Sequence, residues 1–94
     1  MELERDVERY LIGEVERRGG ICIKCIPDHR SGMPDRIVML PGGILIWVEL
    51  KRPHGGRLSA VQQHRHRELN TLGQCVELCS TRAEVDALMM RIGV

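Results

Sequence analysis

The chain has 94 residues, 43% hydrophobic and 29% charged, with a formal net charge of +1. That bounds it to one small globular domain spanning 1-94 and, by net charge alone, says nothing about nucleic acid. One Trp, one Tyr and no Phe exclude a base-stacking platform for single strands. No apolar run reaches the roughly 18 residues of a membrane span. The acidic first residues are unlike a signal peptide, so a cytoplasmic protein with reduced thiols is expected.

The charge is unevenly spread. Glu2, Glu4, Asp6, Glu8, Glu14 and Glu16 fall early in the chain. From Leu50 to Arg67 there is no acid, but there are Lys51, Arg52, Arg57, Arg65 and Arg67 with His54, His64 and His66. Such a block suits a polyanionic substrate approaching from that side. A solvated face is the plainer reading of a charge run alone.

The spacing of Leu3, Val7, Tyr10, Leu11 and Val15 predicts a helix over 2–18, ended by Gly19-Gly20. Glu8 falls inside its apolar arc, with Glu4 one turn earlier on the same side. A strand over Ile21 to Ile26 follows, then an irregular loop from Pro27 to Pro34. Arg36 to Leu40 and Ile44 to Lys51 read as two strands joined by a Pro41-Gly42-Gly43 turn. After a glycine-rich basic loop, Pro53 to Arg57, Ser59 caps a helix over 60–72, with Gln62 completing a capping box. His64 and His66 are read as solvent-facing on that helix, available for phosphate contact or plain solvation. Gly73 stops the helix before a strand from Cys75 to Cys79. Thr81 with Glu84 caps a final helix with Val85, Leu88, Met89 and Ile92 inward. The order α-β-β-β-α-β-α implies an α/β fold around a mixed sheet.

The hairpin carries the chemistry. If three residues close it, Leu40 lies opposite Ile44 and Asp35 lies opposite Glu49. Their Cβ atoms would then be roughly 5 Å apart. Alternation turns Glu49 and Lys51 to one face and Leu50 to the other. Two facing carboxylates repel unless a cation sits between them, so the hairpin predicts a metal site. An ordinary amphipathic hairpin with solvated charges is the alternative. Leu45 and Trp47 weigh against it, because they share the face of Glu49 and cover it, and covered charges need partners or a task.

Cys22 and Cys25, with Cys75 and Cys79, faintly suggest zinc. The β-rich run around the first pair has no glycine to make a knuckle, and residues three apart on a strand point to opposite faces. Structural, buried cysteines are therefore the favoured reading, with zinc or redox chemistry as the alternative.

Taken together, Glu8-Arg9-Tyr10-Leu11, Gly19-Gly20, Gly32-Met33-Pro34-Asp35-Arg36, Val48-Glu49-Leu50-Lys51 and Leu58-Ser59 followed by Gln62 carry a resemblance. The chain resembles the standalone form of the virus-type replication-repair nuclease (VRR-NUC) family, within the PD-(D/E)XK nuclease superfamily. The resemblance implies that Asp35 and Glu49 bind Mg²⁺ or Mn²⁺, with the Leu50 carbonyl and Glu8 as further ligands and Glu4 as the alternative helix acid. It implies a role for Lys51 on the attacking water or the phosphate, and a place near the site for Gln62. Cleavage of branched DNA, four-way junctions above all, by a homodimer in the bacterial or phage-infected cytoplasm is implied as well. Arg52, Arg57, Arg65, Lys24 and Arg30 are the expected DNA contacts. Met33, Met89 and Met90 are apolar residues available to a dimer interface. A binding module without catalysis, and exonuclease or restriction-type cutting, remain as alternatives.

Overall fold

In a computed structural model the described residues are 2–53 and 56–94. His54 and Gly55, part of the expected basic loop, lie outside them. Helix α1 spans Glu4–Arg17, strand β1 Ile21–Lys24, β2 Arg36–Leu40 and β3 Ile44–Leu50. Helix α2 (Ala60–Thr71), strand β4 (Val76–Cys79) and helix α3 (Arg82–Ile92) complete the predicted order. The element ends fall one or two residues inside several of the sequence boundaries, as fraying termini do.

The four strands form one sheet in the order β1-β2-β3-β4, with β1, β2 and β3 antiparallel and β4 parallel to β3. The parallel step follows from chain reversal through α2. The hairpin register is the expected one, with Leu40 opposite Ile44 and Arg36 opposite Val48. Gly42 and Gly43 both hold positive φ in the turn, a conformation that side chains resist. Gly20 is fixed differently: a Cβ there would sit 2.5 Å from the Met39 carbonyl oxygen. Only glycine lets the exit of α1 pass so close to β2.

Val38, Leu40, Ile46, Val48 and Leu50 share one sheet face by alternation and are buried. Val7, Leu11 and Val15 of α1, with Val85, Leu88 and Met89 of α3, close over them as one core. Met89, expected to be surplus, is therefore core at 1% exposure, whereas Met90 is exposed. Helix α2 lies on the opposite face. It buries only His66 and Leu69 and leaves much of that face open. Rows Ile21–Met39–Leu45 and Ile23–Ile37–Trp47–Val76 run across the open part. Among the described residues no helix is long and apolar enough to cross a membrane.

Candidate active site

Asp35 immediately precedes β2, and the segment before it is held rather than loose. Gly32 has φ +82°, and a Cβ there would meet the Val61 carbonyl oxygen and Cγ1 at 2.6 Å. Arg65 donates from Nε to the Ser31 carbonyl at 3.0 Å. Pro34 is fully buried, and Cys25 N–H donates to the Asp35 carbonyl at 2.9 Å. The Gly-Met-Pro-Asp string is thus the docking of a loop onto α2 that delivers one carboxylate. That carboxylate accepts from the Leu50 backbone N–H at 2.8 Å, locking Asp35 across the end of β3.

Glu49 lies on the α2 face of β3 at 1% exposure. Its carboxyl is near enough to that of Asp35 for the two to act on each other. Burial first, then the Asp35 contact and charge, push the Glu49 pKa up to about 8, with Glu4 adding to the rise and Lys51 opposing it. Glu49 therefore holds its proton more tightly than an ordinary glutamic acid. Lys51 follows on the same face, near enough for its charge to act on both Glu49 and His66.

Two side chains of α2 complete the surroundings of Glu49. Gln62 donates from Nε2 to one carboxylate oxygen at 3.4 Å, and His66 Nε2 stands 3.2 Å from the other. Gln62 serves the helix cap at the same time, since its Oε1 accepts from Ser59 N–H and its own N–H donates to Ser59 Oγ. Cap and site are one device. His66 overturns the expectation of a solvent-facing residue: it is 9% exposed, and burial leads the causes that lower its pKa.

The helix acids face an open cleft of about 820 Å³ bordered by Glu4, Glu8, Lys24, Asp35, Leu50 and Arg52. Glu8 accepts from Arg36 Nε at 2.9 Å. Glu4, exposed one turn earlier, is the helix acid whose charge reaches Glu49. Arg30, Arg52 and Arg57 are exposed, as is Lys24. Arg65, expected on the DNA surface, is instead bonded to Ser31 and Glu68.

The cysteines are free: Cys79 is buried, Cys22 and Cys25 are half-buried, and Cys75 is exposed. Cys22 lies on β1 and Cys79 on β4, at opposite edges of the sheet, so the two pairs cannot share one ion. Among the described residues no three His, Cys, Asp or Glu side chains are grouped so as to hold a metal ion. The Asp35–Glu49 pair is a different kind of donor set. Two carboxyl groups that act on each other, one of them on the wall of an open cleft, fit a hard cation that keeps several of its waters.

Similarity to known proteins decides the family. No protein-family profile matches the chain. The protein named "Putative nuclease p44" from Acyrthosiphon pisum secondary endosymbiont phage 1 is 41% identical over 73 residues, 78% of this chain and 77% of that protein. A solved structure described as a VRR_NUC domain superposes with a TM-score of 0.87 over 93% of this chain and 94% of its own, at 30% identity.

The chain belongs to the virus-type replication-repair nuclease family. Its mixed sheet with α1 and α3 on one face and α2 on the other is the PD-(D/E)XK-like fold of a VRR-NUC domain. Within it the hairpin brings Asp35, Glu49 and Lys51 together, and α2 adds Gln62. His66 is the site neighbour that sequence reasoning missed. Its one available signal was its position a single helical turn beyond Gln62.

Proposed function

We propose that this VRR-NUC chain is a metal-dependent, structure-selective DNA endonuclease that resolves four-way junctions as a homodimer. The observation that carries the proposal is the Asp35–Glu49 pair, with Glu49 buried and its pKa raised by that burial and by Asp35, and Asp35 on the wall of the open cleft. Asp35 and Glu49 hold Mg²⁺ or Mn²⁺, with the Leu50 carbonyl and Glu8 as further ligands. Bound there, the cation supplies an activated water and positive charge against the scissile phosphate.

The remaining work falls to the chain's own groups. Arg36 holds the Glu8 carboxylate on the cleft wall. Gln62 steadies Glu49 while its other atoms cap α2. Lys51 donates hydrogen bonds to the attacking water or a phosphate oxygen and offsets charge that builds on phosphorus. Lys24 and Arg52, with Arg30 and Arg57 beyond, engage neighbouring phosphates and set a salt-dependent grip.

A chain this small has limited surface for a branched substrate. A symmetric pair doubles the footprint and presents two sites for two strands related by a two-fold axis. The open sheet face supports the pair, since Ile21, Ile23 and Leu45 are 58%, 43% and 42% exposed there. Contiguous apolar exposure of that sort marks an interaction surface.

The test is cleavage of labelled junction, flap and linear duplex by the purified protein in Mn²⁺ or Mg²⁺. Junction strands are cut preferentially, EDTA stops the cutting, and added Mn²⁺ restores it. Cutting that persists in excess EDTA refutes the metal site, and equal cutting of linear duplex refutes the junction preference.

A further inference from the structure

We propose that His66 is a positioning residue that, together with Gln62, clamps the Glu49 carboxylate from α2 and fixes it for cation binding. This rests on the nuclease reading above and adds a residue to it. The geometry is that of a two-point hold. His66 Nε2 lies 3.2 Å from one Glu49 oxygen and Gln62 Nε2 lies 3.4 Å from the other. The two side chains stand one helical turn apart, so a single rigid face of α2 reaches both oxygens. The Ser59 cap fixes where that helix begins.

Burial makes the contact more than incidental. His66 and Leu69 are the only α2 residues that leave solvent. An imidazole under a helix costs desolvation free energy unless it has a polar partner, and the partner here is Glu49. Once Glu49 is an ionised ligand, His66 Nε2 must carry hydrogen to donate to it. Each carboxylate oxygen keeps a further lone pair, so the clamp and a cation can use the same group. Glutamate has three rotatable bonds, and this hold selects one arrangement of them before the cation arrives. Partners that orient metal ligands in this way are worth about 10- to 100-fold in metal affinity or activity.

The decisive experiment measures Mn²⁺ affinity without DNA, by EPR, for wild type, His66→Phe and His66→Gln. Phenylalanine keeps a ring but donates nothing, whereas glutamine places an amide N–H near the Nε2 position. His66→Phe is expected to weaken Mn²⁺ binding by about 10-fold or more, and His66→Gln to recover most of the loss. Long-range ¹H–¹⁵N NMR of the Mg²⁺-loaded wild type is expected to show His66 as the Nε2–H tautomer. That second measurement decides the matter if His66→Phe does not fold. Unchanged affinity in a folded His66→Phe, or an Nδ1–H tautomer, overturns the clamp and leaves the metal site standing. Wild-type protein that binds no Mn²⁺ overturns the nuclease reading and the clamp together.

Discussion

Glu49 sets the pH behaviour of the site. An ordinary glutamic acid loses its proton near pH 4.3, whereas folded, metal-free Glu49 keeps it to about 8. Between those values the folded state binds a proton that the unfolded state does not, so stability falls as pH rises. The contribution is fully present below the lower value and lost above the upper one. His66 acts with the opposite sign, because burial leaves it less ready to protonate than an unfolded histidine. Its contribution grows as pH rises through the ordinary histidine range near 6.5. The clean window for Glu49 is therefore about pH 7 to 8. Thermal melts of metal-free protein should show stability falling across that window. Glu49→Gln should flatten the fall, and saturating Mg²⁺ should oppose it by replacing the proton. Identical slopes in wild type and Glu49→Gln would remove the carboxylate pair from the explanation.

Two elements deliver the carboxylates, and each can be broken separately. Gly32→Ala must place a side chain at φ +82° against the Val61 backbone, a strain of about 1–3 kcal/mol. Calorimetry should register that loss, and the displaced loop should carry Asp35 with it. At the start of α2, Ser59→Ala and Gln62→Ala should each lower stability by about 1 kcal/mol through the cap. Gln62→Ala should also lose far more cleavage than Ser59→Ala, because Gln62, unlike Ser59, touches Glu49. Equal activity in the two variants would leave Gln62 as a cap alone.

The same elements show what the sequence disclosed. The hairpin was legible because a three-residue loop and strict alternation leave one register, which is the observed pairing of Leu40 with Ile44. Helices α1 and α3 were legible from their apolar stripes. Helix α2 was placed by its cap but not oriented, since it buries only His66 and Leu69 and offers no periodic stripe to mark its inner face. That is why the sequence pattern makes His66 look solvated. The Glu8–Arg36 and Arg65–Ser31 bonds join residues distant in sequence, and no local pattern announces such partners.

At the scale of the whole molecule, the core sits on one side of the sheet and an apolar surface stays open on the other. Met89 belongs to the core and drops out of a dimer interface, whereas Met90 stays exposed. Ile21, Ile23 and Leu45 are the exposed apolar residues on the open sheet face. Light scattering should give twice the chain mass, and Ile23→Lys with Leu45→Lys should return a folded monomer that still binds Mn²⁺. A wild-type monomer would contradict the two-fold resolvase arrangement without touching the metal site.

The central claim is that the Asp35–Glu49 carboxylate pair with its neighbouring lysine performs metal-dependent phosphodiester cleavage. The most direct test is Mn²⁺-supported cutting of a four-way junction by wild type, Glu49→Ala and Lys51→Ala, each checked for native fold by circular dichroism. The account predicts cutting by the wild type and a loss on the order of 10²-fold or more in both folded variants. Wild-type rates in a folded Glu49→Ala would contradict it.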